Sequence, residues 1–230
     1  MPDLKDKYDF IIIGAGITGL AVARELKNEN LDAEILILEK ESELGCHSSG
    51  RNSGVLHSGI YYKEDSLKAK FCAEGSKLMK EYCLEHNLSL DPMGKVIVPT
   101  KEEDDPQVDL LYNRAQSNGA KEVEIIDEDR LKEIEPHTRT ASGRALYSPK
   151  TSVVNSKEIL KSLKENLSKL GVQFLFSAKT ESFRPDESKF DINGHSVEYG
   201  HLYNTAGQNS DKLAKIFTVG EKFTMLPFKG

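Results

Sequence analysis

A glycine-rich turn near the N-terminus constrains the fold more than any other feature of this chain. It follows a continuous apolar run at 8–13 and precedes a segment, 18–28, with apolar residues on one helical face. A GxGxxG sequence between a buried strand and a helix is typical of dinucleotide-binding α/β folds, because the helix N-terminus can hold a pyrophosphate. The residues of the turn are Gly14, Ala15, Gly16, Ile17, Thr18 and Gly19.

An acidic residue at the end of the second predicted strand supports this interpretation. Residues 33–40 form another apolar run, and Glu39 stands 20 positions after Gly19. A carboxylate there accepts hydrogen bonds from ribose hydroxyls and repels a 2′-phosphate. An ordinary glycine-rich turn is the alternative for the glycines alone, but strand, helix, strand and acid in register favour dinucleotide binding.

The rest of the sequence pattern predicts two α/β blocks separated by a less regular segment. After a loop at 44–60, an apolar stripe predicts a helix over about 66–86 with one buried face and Asp65 or Ser66 as its N-cap. The residues of the stripe are Leu67, Phe71, Cys72, Gly75, Leu78, Met79 and Tyr82. Asn193-Gly194 between alternating residues predicts a type I′ hairpin. We therefore expect a nucleotide-binding domain formed by residues 1–87 and 150–216. A second domain would be formed by residues 88–149 and would begin again at 217–230. The chain stops where the second domain would resume, which favours a truncated sequence.

Composition and charge argue against several classes of protein. The 37 acidic and 31 basic residues of the 230 give a net charge of −6, unlike the basic surface of a nucleic-acid-binding protein. No apolar run approaches the roughly 20 residues that cross a bilayer, and the acidic N-terminus is unlike a targeting peptide. Three cysteines, an odd number without CxxC spacing, predict a cytoplasmic protein without disulfides. The histidines show no spacing typical of a metal site.

The loop after the second strand and two later segments carry a family resemblance. The loop contains SSGRNSGVLHSGIYYK at 48–63, followed by SLKAK at 66–70; the later segments are YSPKT at 147–151 and YNTAGQNS at 203–210. Together with the glycine-rich turn, they resemble the FAD-dependent oxidoreductases of the D-amino-acid-oxidase superfamily, and more narrowly the L-2-hydroxyglutarate dehydrogenase/oxidase family. The resemblance covers essentially all of this chain but only about the N-terminal half or more of a usual family member.

This resemblance implies FAD as the cofactor. It also implies an α/β fold, with a Rossmann-like, glutathione-reductase-like FAD-binding domain and an inserted, incomplete α+β substrate domain. The implied reaction is oxidation of a small 2-hydroxy acid, L-2-hydroxyglutarate to 2-oxoglutarate, by hydride transfer to flavin N5, with oxygen or a quinone as electron acceptor. Besides the glycine-rich turn and Glu39, the expected cofactor contacts are Lys40, Ser48, Ser49, Asn52, Ser53, Gly54, Ala206 and Gly207.

Three residues are candidates for contact with the substrate. His57 is the candidate catalytic base, because it lies in the glycine-flanked loop expected near the flavin and titrates near neutrality; alternatively, it only hydrogen-bonds backbone or flavin. Arg51 is a candidate carboxylate ligand, since a guanidinium binds a carboxylate through two hydrogen bonds, although it could instead bind the FAD pyrophosphate. Tyr61 is a second candidate carboxylate ligand, or a surface residue.

Other functions stay open from the sequence alone. An amine or amino-acid oxidase and a glycerol-3-phosphate dehydrogenase of the same superfamily would share the cofactor motifs. A non-catalytic dinucleotide-binding fragment is a further alternative, and the small residues after Glu39 disfavour an NAD-dependent dehydrogenase. Peripheral association with a membrane stays open as well.

Overall fold

The computed structural model describes residues 4–178, 182–192, 194–226 and 228. The chain divides into two compact units, one made of Met1–Asn52 with Ser156–Gly230 and the other of Ser53–Asn155. These limits differ from the boundaries expected at residues 87 and 149. The helix at 67–85 lies in the second unit, where it packs against the strand at 90–91.

The described residues form twelve strands and six α-helices. The strands are β1 (Lys7–Ile13), β2 (Ile35–Leu38), β3 (Val55–Leu56), β4 (Leu90–Asp91), β5 (Lys95–Ile97), β6 (Glu124–Asp127), β7 (Arg144–Ser148), β8 (Ser152–Val154), β9 (Gln173–Leu175), β10 (Ser182–Arg184), β11 (Lys189–Ile192) and β12 (His195–Asn204). The helices are α1 (Ile17–Glu29), α2 (Leu67–Glu85), α3 (Pro106–Ser117), α4 (Glu128–Ile134), α5 (Ser156–Lys169) and α6 (Ser210–Ile216).

A six-stranded sheet of order β10-β11-β12-β1-β2-β9 forms the first unit. Strands β12, β1, β2 and β9 are parallel, whereas β10 and β11 are antiparallel additions at one edge. The two predicted apolar strands are confirmed: Ile11, Ile12 and Leu36 are 0% exposed, as expected where both faces of a parallel sheet are covered. Helices α1 and α5 pack against each other.

The second unit contains two three-stranded antiparallel sheets, of order β3-β8-β4 and β5-β7-β6. One apolar cluster joins Ile60 and Leu146 to residues on and after α3. A smaller one packs Leu131 of α4 against Ile126 and Ala145. The short strands and separate clusters make this unit α+β, in contrast to the parallel first unit.

Helix α2 corrects one expectation from the sequence. Its predicted N-cap is confirmed, because the Ser66 hydroxyl accepts a hydrogen bond from the Ala69 amide. The predicted buried stripe is wrong for Leu67, Phe71 and Leu78, which are 69%, 61% and 57% exposed, and is confirmed for Tyr82. The buried residues of the helix are Ala69, Tyr82 and Cys83. The neighbouring elements of the unit therefore cover the face that carries these three residues.

Two expectations fall partly on residues outside the described ranges. Strands β11 and β12 form the expected antiparallel hairpin, with Ile192 opposite His195, but Asn193 itself lies outside the described residues. In the C-terminal segment, the described residues at 217–226 form turns and irregular backbone. Within the described part of the chain, no helix has both the length and the apolar character needed to cross a bilayer.

Candidate functional site

The glycine-rich turn joins β1 to α1, and its packing leaves no room for side chains. Gly14 has a φ of +107°, and a Cβ there would lie 2.5 Å from the Thr205 carbonyl oxygen. A Cβ at Gly19 would lie 2.1 Å from the Gly14 carbonyl oxygen, and one at Gly16 would lie 2.9 Å from Ser49 Oγ. The backbone contacts therefore require glycine at positions 14 and 19, whereas a side chain at position 16 would have to displace the Ser49 hydroxyl.

The N-terminus of α1 presents backbone donors at this turn. The Ile17 amide donates a hydrogen bond to Ser49 Oγ over 3.0 Å, and Gly16 at the N-cap has no side chain that could accept from the two amides that follow. The amides of Thr18 and Gly19 have no acceptor among the described residues. Free first-turn amides and the positive end of the helix dipole fit an anionic phosphate group.

The Glu39 carboxylate lies at the same turn. Its Oε2 accepts a hydrogen bond from the Ala15 amide over 2.9 Å, and its Oε1 accepts one from the Glu41 amide over 3.0 Å. Glu39 directly follows β2, which pairs with β1 in parallel register. The sheet thus brings the predicted ribose-binding carboxylate next to the predicted phosphate-binding amides.

Residues 205–207 follow β12, which pairs with β1 on the edge opposite to β2, and they also lie near the glycine-rich turn. Strand β12 pairs with β1 so that Asn204 lies opposite Ile13, and the Thr205 hydroxyl is within hydrogen-bond distance of the Ile13 and Gly14 carbonyl oxygens, at 2.9 and 3.1 Å. The Ala206 Cα would lie 3.4 Å from a Cβ at Gly14. Ala206 is therefore brought to the turn, together with Thr205, which the sequence did not single out.

Gly207 follows Ala206 with a positive φ of +55° and is exposed. In the sequence, Thr205 lies in the YNTAGQNS segment at 203–210 that carries part of the family resemblance, directly after the last strand.

The loop after β2 is folded by its own hydrogen bonds. The Asn52 side-chain amide donates to the carbonyl oxygens of Ser48 and Ser49, both over 3.0 Å. The Arg51 backbone amide donates to the His47 carbonyl oxygen over 3.1 Å. The side chains of Ser48, Arg51 and Asn52 are exposed. The side chains of Ser48 and Arg51 thus face solvent on a loop whose Ser49 hydroxyl is bound to the glycine-rich turn.

An exposed ion pair occupies the start of this loop. Lys40 Nζ lies 3.3 Å from Glu41 Oε1, and His47 Nε2 lies 2.8 Å from the same oxygen. The hydrogen bond from His47, followed by the one from Lys40, holds the pKa of the Glu41 carboxyl below its ordinary value. Lys40 thus has an exposed carboxylate partner next to it in sequence, and its predicted contact with the cofactor stays a prediction.

The remaining predicted residues lie in the second unit, beginning with Ser53 and Gly54. Ser53 is exposed. Gly54 has a φ of +69°, and its carbonyl oxygen accepts the Val154 amide hydrogen over 2.9 Å. A Cβ at Gly54 would lie 2.2 Å from the Val154 carbonyl oxygen. The close approach of the Gly54 backbone to β8 therefore explains by itself why this position is glycine.

Side chains of α3 and the residue after it fix the backbone that follows His57. The Asn118 side-chain amide donates to the carbonyl oxygens of Gly59 and Tyr62 over 2.9 and 3.0 Å. Arg114 donates to the Tyr61 carbonyl oxygen over 3.2 Å. Loop carbonyls held by buried or half-buried side chains give a defined conformation to the segment that bears the predicted base.

His57 itself is half-buried. The Cys72 thiol donates to the His57 carbonyl oxygen over 3.2 Å, and burial raises the pKa of that thiol. The imidazole meets the Tyr61 ring edge-on, with ring centroids 5.9 Å apart at 82°. Burial lowers the pKa of His57, and the nearby Lys95 cation lowers it further. The imidazole is therefore held in the neutral form that a general base needs.

Lys95 lies beside His57 and Tyr61 and was not predicted from the sequence as a site residue. Its ammonium donates to the Tyr61 hydroxyl and lies 4.5 Å from the centre of the Tyr61 ring. The printed sequence shows it only as the first residue of a short apolar strand. Among the described residues, no group of three His, Cys, Asp or Glu is arranged to hold a metal ion.

The family model described as "FAD dependent oxidoreductase" (DAO) matches residues 9–230. This chain belongs to that family. The match agrees with the resemblance identified from the loop and the glycine-rich turn. It also makes the first unit, with its parallel sheet and glycine-rich turn, the counterpart of a dinucleotide-binding region in an FAD-dependent family.

Curated relatives narrow the family. The chain is 38% identical to a protein named "L-2-hydroxyglutarate dehydrogenase, mitochondrial" from Caenorhabditis briggsae, covering 97% of the chain and 53% of that protein. It is 32% identical to "L-2-hydroxyglutarate dehydrogenase" of Escherichia coli strain K12, again over 97% of the chain and 53% of the relative. The chain thus spans about half the length of the curated relatives that it matches.

A solved structure shows the same fold. The L-α-glycerophosphate oxidase of Mycoplasma pneumoniae, determined with FAD bound, matches with a TM-score of 0.82 at 21% sequence identity. The match covers 92% of this chain and 57% of that one. The predicted α/β fold class, a Rossmann-like FAD-binding domain of the glutathione-reductase type joined to an α+β region, is therefore confirmed.

Proposed function

We propose that this DAO-family chain carries the FAD-binding region and part of the substrate region of an enzyme that oxidises a small 2-hydroxy acid. The substrate would be L-2-hydroxyglutarate and the product 2-oxoglutarate, as the names of the curated relatives suggest. The observation that carries FAD binding is the hydrogen bond between Glu39 and the Ala15 amide at the start of α1. It brings a ribose acceptor and phosphate donors together.

The residues that would hold FAD are those gathered at the glycine-rich turn. The Thr18 and Gly19 amides would bind the pyrophosphate at the turn formed by Gly14, Ala15, Gly16 and Ile17, and Glu39 would accept hydrogen bonds from the ribose. Ser48, Ser49, Asn52, Ser53, Gly54, Ala206 and Gly207 stay proposed contacts, and Lys40 would have to leave its pair with Glu41 to join them. When bound, FAD would supply the hydride acceptor for the oxidation.

The protein's own part in the reaction is proton transfer and substrate binding. The unprotonated ring nitrogen of His57 would accept the proton of the substrate hydroxyl, for which its neutral state is suited. Arg51 and Tyr61 would bind carboxylate groups, since a guanidinium and a phenol are both hydrogen-bond donors. Burial of His57 beside the Tyr61 ring supports this assignment.

The electron acceptor and compartment belong to the same proposal. Oxygen or a quinone would reoxidise the enzyme, and a membrane quinone would require peripheral association with a membrane. We retain the cytoplasm as the predicted compartment, although the Caenorhabditis briggsae relative is named as a mitochondrial protein. Imaging the tagged protein in its own cell distinguishes the two compartments.

Titration with FAD followed by anaerobic reduction tests the proposal. We expect the purified chain to quench flavin fluorescence on binding, and L-2-hydroxyglutarate to bleach the bound flavin. Bleaching by glycine, sarcosine or glycerol 3-phosphate instead would favour the alternative oxidases and dehydrogenase. Bound flavin that none of these compounds reduces would support a non-catalytic fragment, and a chain that binds no FAD would contradict the proposal.

His57→Asn provides the matched control for the chemical step. The amide keeps a polar side chain of similar size but cannot accept the proton as a base. We expect this variant to bind FAD like the wild type while its flavin is bleached at least about a hundredfold more slowly. Equal bleaching rates would exclude His57 as the base and leave FAD binding unaffected.

A further inference from the structure

A lysine in the second unit lies beside Tyr61 and His57 without an acidic partner. Lys95 Nζ is 2.5 Å from the Tyr61 hydroxyl oxygen and 4.5 Å from the centre of the Tyr61 ring. Among the described residues, no carboxylate lies within the 4.0 Å that defines an ion pair with its ammonium. This half-buried cation contrasts with Lys132, which pairs with Glu128 on its own helix.

Backbone pairing fixes the position of this lysine. Lys95 opens β5 and stands opposite Ser148 of β7. The residue before it, Gly94, has a φ of +74° and donates its amide hydrogen to the Thr151 carbonyl oxygen over 3.0 Å. The Ser58 hydroxyl, next to His57 in sequence, lies 3.4 Å from the hydroxyls of both Ser148 and Thr151. The lysine and the His57 segment are thus tied to one turn at 148–151.

The donors in this cluster suit an anion with two oxygen atoms. An ammonium has three N–H groups, of which Tyr61 takes one, and a phenol that accepts from Lys95 keeps its own hydrogen to donate. Tyr61 is 38% exposed, so a small ligand can reach its hydroxyl. A hydrogen bond from a charged donor to a carboxylate is about twice as strong as a neutral one.

We propose that Lys95 Nζ and the Tyr61 hydroxyl bind a carboxylate group of the substrate beside His57. This inference rests on the proposed oxidation of a 2-hydroxy acid and adds Lys95 to the residues that recognise it. The ligand class is a short 2-hydroxy or 2-oxo carboxylate. The binding site lies entirely within the second unit, at the start of β5 and in the loop before α2.

Carboxylate binding here has a consequence for the base. The Lys95 cation is one of the two causes that lower the pKa of His57. A carboxylate bound to that cation offsets its field, so the imidazole becomes more basic when the substrate is present. Lys95 therefore binds the substrate carboxylate, and that carboxylate, by offsetting the Lys95 cation, makes His57 a stronger base than it is in the ligand-free protein.

Binding of 2-oxoglutarate, measured by NMR titration of the full chain, tests the inference without requiring turnover. We expect 2-oxoglutarate to shift the His57 ring signal, assigned with His57→Asn, and to raise the pKa of His57. The uncharged dimethyl ester should do neither. Lys95→Met should weaken 2-oxoglutarate binding at least about tenfold, and Lys95→Arg should stay within about threefold of the wild type.

The matched control is Lys132→Met, which removes the same charge from an exposed, ion-paired position of the same unit. It should bind 2-oxoglutarate like the wild type. Equal affinity in Lys95→Met and the wild type, or no binding to the wild type, would overturn the inference. If Lys95→Met does not fold, Lys95→Gln takes its place, with the same expected weakening.

A parallel FAD titration of the same samples separates this inference from the proposed function. If the wild type binds FAD and Lys95→Met binds 2-oxoglutarate as tightly as the wild type does, only the proposed carboxylate site is contradicted. Loss of FAD binding in the wild type contradicts the proposed function instead, while the 2-oxoglutarate titration still decides whether Lys95 binds a carboxylate.

Discussion

Single residues at the glycine-rich turn are constrained by hydrogen bonds as much as by space. Glu39 accepts from the Ala15 amide, and Ser49 accepts from the Ile17 amide. Both side chains therefore help to set the direction of the backbone donors at the start of α1. A change at either residue acts on the proposed cofactor site through a contact that the structure shows directly.

Glu39→Gln should weaken FAD binding about tenfold, or about 1.4 kcal/mol. The amide keeps the shape of the side chain but accepts weaker hydrogen bonds from ribose hydroxyls, because it has lost its charge. Fluorescence titration of FAD measures the effect. Glu41→Gln is the matched control, since Glu41 binds His47 and Lys40 through its side chain. An equal loss in both variants would point to general electrostatics and contradict the role of Glu39.

The stability of the second unit should fall as the solution is acidified below about pH 6.5. The folded chain lowers the pKa of His57 from its ordinary value of 6.5. The unfolded chain therefore takes up a proton first as the pH falls, and folding loses that part of its free energy between the ordinary and the lowered pKa. Urea unfolding of the wild type and of His57→Asn at pH 7 and pH 5 measures this loss of unfolding free energy. A pH dependence unchanged in the variant would contradict the assignment.

At the scale of elements, local sequence was sufficient where burial is complete. Strands β1 and β2 and the turn between β1 and α1 follow from apolar runs and glycines that sit close together in sequence. The buried face of α2 could not be predicted in full, because Leu67, Phe71 and Leu78 do not lie on the face of the helix that the neighbouring elements cover. The pattern shows the helix, but tertiary contacts choose its orientation.

Contacts over long sequence separations limited prediction of the candidate site in the same way. Lys95 meets the Tyr61 hydroxyl across 34 positions, and Thr205 meets Gly14 across 191. Neither pair has a local signature. Glu39, in contrast, was found because the spacing from the glycine-rich turn to the second strand is set by one helix.

Gly54→Ala should destabilise the second unit by about 1–3 kcal/mol. The residue has a φ of +69°, and the added Cβ would approach the Val154 carbonyl oxygen to 2.2 Å. Gly75→Ala in the middle of α2 meets nothing within 4 Å and should instead stabilise by about 0.5–1 kcal/mol, since alanine favours a helix over glycine. Denaturant unfolding compares the two, and a stabilised Gly54→Ala would show that the strand ladder tolerates the change.

For the molecule as a whole, the exposed apolar residues of α2 should govern self-association more than folding. Changing Leu67, Phe71 and Leu78 to Gln should leave the unfolding midpoint nearly unchanged, because these side chains are already more than half exposed. It should also lower the tendency to associate, since large exposed apolar patches promote contact between molecules. Light scattering over a concentration series measures this association.

Ala69→Gln on the buried face of α2 is the matched control. It should lower the unfolding midpoint, because a longer polar side chain has to enter a packed position. If the triple variant unfolds while Ala69→Gln does not, the assignment of the two faces of the helix is wrong.

The discontinuity of the first unit sets the order in which the protein can acquire its structure during synthesis. Within residues 1–230, the second unit is a single continuous stretch, Ser53–Asn155, and all of it is translated before α5. The first unit must wait for β12, whose Glu198 pairs with Lys7 near the beginning of the chain. Thr205, whose hydroxyl donates to the Gly14 carbonyl oxygen of the glycine-rich turn, is translated still later. The apolar strand β1 therefore lacks its β12 neighbour until residues 195–204 have been translated, and non-local pairing of this kind forms slowly.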